Sequence, residues 1–341
     1  MKTKTSRRSL LKSMAAAGAL ALPFRGGFSA AADMITIRFS HVVAEQTPKG
    51  LAALKFKELA EKALPGRVTV EIYPNSQLYK DNEEVEALQL GSVHLLAPSL
   101  AKFGPLGVHE FEVFDLPYIF ADEAAFKAVT QGPVGVDLFS KLEPKGVKGL
   151  AFWDNGFEHI SSGKPMHLPT DCQGLKMRIQ SSKVLDAEMR ALGALPQVMA
   201  FSELYQALQT GVVDGTEGTP SNYFTQKFFE VQKHMTLTSH NHLSYALIAN
   251  KQFWDSLPPD VRPGLDQAIK DATEFGNSLA KQKNDEALAA IIASGKTTVY
   301  NLTPAEKVEW VKALVPVHKA MASRIGQETV DAVYKATGFK A

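Results

Sequence analysis

Apolar and polar positions along the chain fall into short blocks of alternating type. Ile35-Thr-Ile-Arg-Phe-Ser40 is rich in branched and aromatic residues and predicts a strand. Pro48 suits the first turn of a helix, and Leu51, Leu54, Phe56, Leu59, Ala60 and Ala63 recur at helical spacing up to Pro65-Gly66. Arg67 to Tyr73 alternates as a half-buried strand, Asn82 to Leu90 reads as a helix closed by Gly91, and Val93 to Ala97 as another strand. The same grammar returns later. Met177–Gln180 and Pro196–Met199 read as strands, Lys183–Leu192 and Ser202–Gln209 as helices, and His242–Asn250 as a long apolar strand. Pro259 to about Ala293 predicts a helix longer than most globular ones, and Pro304 to about Thr337 supplies the last helices.

Alternation of strand and helix predicts an α/β architecture with helices packed on a sheet. Glu86-Ala-Leu-Gln-Leu-Gly91-Ser-Val echoes Gln206-Ala-Leu-Gln-Thr-Gly211-Val-Val, each a helix end, a glycine suited to a left-handed cap, and a strand start. The echo favours two lobes of similar build, and a cleft between lobes is a common ligand site.

The first residues change the picture. Ser6-Arg7-Arg8-Ser9-Leu10-Leu11-Lys12 is a paired-arginine export signal, followed by an uncharged run from Ser13 to Phe24 and small residues at Ser29-Ala30-Ala31-Ala32. The run is shorter than the ~20 residues of a membrane-spanning helix. Residues 1–32 are therefore expected to be removed near Ala31/Ala32, placing the mature protein in the periplasm. Their loss takes six of the 37 basic residues and none of the 36 acidic ones, which leaves a net charge of about −5. That balance gives no basis for general nucleic-acid binding, so any anion site must be local. Cys172 is the single cysteine, so no internal disulfide forms.

The stretch from Phe152 to Asp255 carries a more specific signal. It contains Trp153-Asp-Asn-Gly-Phe157, Gly174-Leu-Lys-Met-Arg-Ile-Gln180, Gly193-Ala-Leu-Pro196, Phe201 through Gly215, Thr225-Gln-Lys227 and Glu230-Val-Gln-Lys233. Phe39-Ser-His-Val-Val43, Thr47-Pro-Lys-Gly50 and Phe253-Trp-Asp-Ser-Leu-Pro258 extend it. In order and spacing these segments resemble the DctP-type solute-binding proteins of TRAP transporters, over nearly the whole mature chain. The resemblance implies the two-lobe architecture of periplasmic binding proteins, with crossing strands and a long helix spanning both lobes. Lobe I would comprise residues 33–155 with about 244–283, and lobe II residues 156–243 with about 284–341. It also implies capture of a small organic acid, a C4 dicarboxylate or a hydroxy or keto monocarboxylate, by hinge closure and delivery to TRAP membrane permease subunits, with no catalysis and no cofactor.

The resemblance puts a carboxylate-binding arginine at Arg178, whose planar guanidinium suits two parallel hydrogen bonds to a carboxylate. Lys49, near a helix start, is a candidate second cation. Trp153, Phe201, Tyr205 and Tyr223 are candidate pocket walls, with burial in the core as the competing reading. Asn222 is a candidate reader of a ligand hydroxyl, and His41 and Glu45 lie in the first strand–helix loop, a usual ligand-facing place. Two positions depart from the family pattern. Glu158 stands where many members carry arginine, and Gly218 follows Glu217 where many carry asparagine. These departures count against a simple symmetric dicarboxylate and make a monocarboxylate with a hydroxyl, keto or amino group a competitor. The rival readings are a periplasmic enzyme and a sensor binding protein. No G-x-S-x-G, H-E-x-x-H, G-x-x-x-x-G-K-[ST] or G-x-G-x-x-G occurs. His240 and His242 offer two imidazoles without an evident third ligand, so no metal is expected.

Overall fold

The computed structural model describes residues 34–340; the export signal and its cleavage point lie outside them. Among the described residues nine strands form one mixed sheet. They are β1 (Ile35–Ser40), β2 (Val68–Tyr73), β3 (Leu95–Leu96), β4 (Val147–Ser162), β5 (Lys176–Ile179), β6 (Leu195–Val198), β7 (Gly215–Gly218), β8 (His234–Asn250) and β9 (Thr298–Asn301). Their order is β2-β1-β3-β8-β4-β7-β5-β6, with β9 also on β8.

The antiparallel pair β4–β8 makes two lobes out of this one sheet. β3 pairs with the end of β8, at Ala249 and Ile248. β7 pairs with the far end of β4, from His159 to Ser162, and β9 with the start of β8, from His234 to Leu237. One strand group therefore sits at each end of two long crossing strands. The sequence left β4 unread and gave β8 only its second half. Gly149 and Gly156 interrupt the alternation of β4, and the early part of β8 is polar although buried. The register of the pair slips between Gly149 and Ala151, between Asp154 and Phe157 and again between Glu158 and Ile160. Gly156 has φ +91° at the second slip and Ser239 has φ +44° near the third. Such bulges bend a strand locally and mark where a sheet can flex.

The other elements follow their sequence patterns closely. The helix Pro48–Ala63 starts behind Thr47, whose hydroxyl accepts a hydrogen bond from the Gly50 amide at 3.2 Å. The two echoing helices both end on left-handed glycines, Gly91 and Gly211, each at φ +74°. The predicted long helix runs 33 residues, Arg262–Ser294, about 50 Å at 1.5 Å per residue. It crosses Pro48–Ala63 closely enough that a Cβ on Gly276 would lie 2.6 Å from the Ala52 Cβ.

Ile37, Phe39, Phe56 and Trp153 pack beneath Leu265 and Ala272 of the long helix. In the other lobe Met177, Ile179 and Met189 pack with Trp310 and Leu314, and Leu204 and Phe228 with Ile291. The last two helices depart from the expected partition. Val317, Ile325, Val330 and Val333 share a core with Phe111, Phe114 and Phe126, so Pro316–Ile325 and Gln327–Thr337 cover residues of lobe I, and Pro316–Ile325 also meets Val184 of the lobe II helix Lys183–Ala191. Helical periodicity shows that a face is apolar, not which layer it covers. No described helix is long and apolar enough to cross a membrane.

Candidate functional site

Where the two strand groups face each other lies a narrow cavity of about 40 Å³. Lys49, Asp81, Glu84, Ser99 and Lys102 line it from one side, and Arg178, Gln180, Phe201, Glu217, Gly218 and Asn222 from the other. Glu158, Leu243 and Tyr245, from the crossing strands, also line it. Contacts already bridge the two sides. The Phe201 amide donates to Asp81 Oδ1 at 2.9 Å, the Ser99 hydroxyl donates to Gln180, and Lys80 pairs with Glu203 at 2.6 Å on the rim.

Arg178 is 3% exposed. Its Nε donates to the Met199 carbonyl at 3.1 Å, and the guanidinium lies 5.6 Å from the Phe201 ring centroid. Nη2 has no hydrogen-bond partner in the protein; its nearest carboxylate is that of Asp81 at 3.7 Å. Burial presses the Arg178 pKa downward, while Asp81, Glu217 and Glu158 oppose that pressure. A guanidinium stays charged under such conditions. The result is a fixed, desolvated cation with an unused donor, which suits one end of a carboxylate.

Lys49 lies across the cavity at the start of the Pro48–Ala63 helix. Its Nζ donates to the Ala97 carbonyl at 2.9 Å and sits 3.7 Å from the Tyr245 ring centroid. Burial lowers its pKa to about 8, against the pull of Glu84 and Asp81. Lys102 pairs with Asp81 Oδ2 at 2.6 Å, both buried. Burial alone would raise the Asp81 pKa, but Lys102 and Arg178 outweigh it and hold the carboxyl below its usual range. Burial pushes Glu84 up to about 8 despite Lys49. Glu158 is pushed well above its ordinary value by burial and by Glu217 and Asp115. The lining thus combines three cations with four carboxyls, two of which burial drives toward the neutral acid.

The structure brings Arg178, Lys49, Glu158, Phe201, Glu217, Gly218, Asn222 and Tyr223 to this cavity. The Asn222 amide donates to the Tyr245 hydroxyl at 3.2 Å, while its Oδ1 is buried without a partner. Four candidates go elsewhere. Trp153 is on the side of β4 that the long helix covers, its indole donating to Thr273 at 2.9 Å within the core. Tyr205 is half-buried and donates to Glu230 at 3.3 Å. His41 is fully buried beside Phe39, and Glu45 is half-buried; neither lines the cavity. A loop after a strand contains more residues than can face one cleft.

His240 and His242 do not face a common centre, but His240 meets Glu188 and Glu217, three ligand atoms within 4.8 Å of one another. His240 Nε2 lies 3.2 Å from Glu217 and 3.4 Å from Glu188, and its Nδ1 lies 2.8 Å from the Thr238 hydroxyl. His242 Nε2 lies 3.1 Å from Asp154, 2.9 Å separates its Nδ1 from the Ser244 hydroxyl, and its ring stacks on Phe126. Sequence reasoning missed Asp81, Glu84 and Lys102. Lys80-Asp-Asn-Glu-Glu84 reads as the solvated entrance of a helix, and only tertiary packing turns two of its acids inward.

A two-lobed α/β fold around an enclosed, cation-bearing cavity defines the class of solute-binding proteins. The model of the family "Bacterial extracellular solute-binding protein, family 7" (DctP) matches residues 39–325, and the chain belongs to that family. It is 62% identical over 320 residues to the C4-dicarboxylate-binding periplasmic protein DctP of Rhodobacter capsulatus, covering 94% of this chain and 96% of that protein. A TRAP periplasmic solute-binding protein from Shewanella oneidensis, solved with bound succinate, superposes with a TM-score of 0.87 at 41% identity, covering 89% of this chain and all of that one (100%). One from Pseudomonas aeruginosa PAO1, solved with bound L-malate, gives 0.82 at 40% identity, over 84% and 99%.

Proposed function

We propose that this chain is the solute-binding subunit of a TRAP transporter and captures a small organic acid, a C4 dicarboxylate above all, between its lobes. The observation that carries the reading is the buried Arg178 guanidinium, whose Nη2 lies at the cavity with no hydrogen-bond partner among the described residues. Arg178 takes one carboxylate of the ligand. Lys49, on the opposite wall, faces the other end, and Asn222 reads a hydroxyl where one is present. Closure of the lobes excludes water and strengthens each charge-assisted bond. The ligand favours closure because only the closed form presents both walls to it at once. The closed form then docks on membrane permease subunits, in the periplasm to which the export signal sends the chain. The relatives with bound succinate and L-malate support the choice of ligand class.

Isothermal titration calorimetry and thermal shift across succinate, L-malate, galactonate and a monocarboxylate test this. A ligand at a hundred times its Kd adds about 2.7 kcal/mol of stability. The expected result is saturable binding of succinate or L-malate with that gain and with the ligand recovered unchanged. No binding of any of the four overturns the reading.

A further inference from the structure

We propose that Glu158 meets the ligand as a neutral carboxylic acid, donating its O–H to a ligand oxygen beside Arg178, so that capture takes up a proton. This rests on the reading of the cavity as an organic-acid site. Glu158 is on β4, opposite Asn241 of β8, and lines the cavity between the second and third register slips. It is 5% exposed and its carboxyl makes no hydrogen bond among the described residues, which leaves it for whatever fills the cavity.

Its neighbours decide the protonation state. Glu217 of β7, Asp115, and Glu188 of the helix Lys183–Ala191 all act on it as acids; Arg178 of β5 is the one cation acting on it. From β8, Tyr245 also faces it, and His240 is engaged with Glu217 and Glu188. His159, the next residue, points the other way and accepts from the Ser239 amide at 3.2 Å. A second negative charge at Glu158 would lie buried among carboxyls and would repel the carboxylate that Arg178 attracts. The neutral acid removes both penalties and supplies a donor. When the lobes part and water enters, Glu158 returns toward the ordinary carboxylate range near 4.3 and ionises. The proton moves from solvent onto Glu158 on closure and returns on release. A carboxylate where many relatives carry a cation thus remains compatible with an anionic ligand.

The test is calorimetry with succinate and L-malate between pH 6.5 and 7.5, in buffers of different ionisation enthalpy. Uptake of one proton raises the wild-type Kd about tenfold over that unit. Glu158→Gln keeps a donor but cannot ionise, so it takes up one proton fewer than wild type and its Kd changes correspondingly less with pH, what remains coming from Glu84 and Lys49. Glu158→Ala has no donor and binds more weakly than Glu158→Gln. A wild-type Kd that does not change with pH, or a Glu158→Gln protein that keeps the wild-type slope, overturns the proposal while leaving the organic-acid site standing. Absence of binding at every pH overturns the site and this inference with it.

Discussion

Arg178 Nη2 stands 3.7 Å from Asp81 Oδ2 across the cavity, close enough to feel the carboxylate and too far to be hydrogen-bonded by it. Asp81 spends its strong bonds on Lys102 and on the Phe201 amide. The arginine is therefore held in place by Met199 and Phe201 and kept charged, yet retains a donor for an incoming anion.

Arg178→Ala should weaken binding of succinate by about 2–5 kcal/mol, since it leaves a ligand carboxylate buried and unpaired. Arg178→Lys should recover only part of this, because an ammonium is a point charge and cannot present a planar fork. Calorimetry on both variants, with unfolding checked separately, measures the loss.

Asp81→Asn keeps an acceptor for the Phe201 amide but leaves Lys102 as a buried charge without its partner. Breaking a buried pair from one side costs about 3–5 kcal/mol, and the retained amide should hold the loss to the lower end of that range. Urea unfolding of the ligand-free protein reads it directly. An unchanged midpoint would mean that Lys102 swings out to water once released.

Acid should destabilise the fold through two buried imidazoles. Burial, helped by Lys49, lowers the His41 pKa to about 3, and burial with His240 and Lys307 does the same for His159. The unfolded chain binds these protons near pH 6.5 and the folded one does not. The two groups therefore cost nothing above pH 6.5, and each removes up to about 1.4 kcal/mol per pH unit as pH falls from there toward 3. Urea unfolding at pH 7 and pH 5 should show a smaller acid loss in His41→Leu than in wild type.

Gly156→Ala places a side chain at φ +91°, with its Cβ 2.5 Å from Asn284 Nδ2. Strain of this kind costs about 1–3 kcal/mol. Chemical denaturation should show that loss, and a smaller one for Asn284→Ala,Gly156→Ala together than the two single losses added, because the clash is shared.

Much of the fold was legible because its elements obey local rules. Pro48 and Thr47 start the first helix, Gly91 and Gly211 end two others in the left-handed region, and the long helix carries its own periodicity. β4 was not legible, since its glycines and its Trp-Asp-Asn-Gly run obey the geometry of a bulge rather than a regular pleat. Arg178 stood out through the resemblance, and the physics of its burial agrees. Asp81 and Lys102 did not, because a loop acid and a lysine in a short turn carry no spacing that announces a partner. Trp153 misled because nothing in the local sequence shows that the long helix covers its side of β4. The position of Glu158 was readable, but its charge state depends on Glu217 and Asp115, which only the assembled sheet brings near.

The asparagines of the long helix reach into β4. Asn277 Oδ1 accepts from the Asp154 amide at 2.8 Å and its Nδ2 donates to the Phe152 carbonyl at 3.2 Å; Asn284 donates to the Asn155 carbonyl and accepts from the Ser221 amide, 2.8 and 2.9 Å respectively. The long helix is thus riveted to β4 just before Gly156 and to Ser221 beyond that strand, which leaves the bulged torsions around residues 154–157 and 237–240 as the joints at which the halves would rock. The swing of the trap is thereby set by a handful of backbone angles beside Glu158, and substitutions at those joints should retune how fast it shuts.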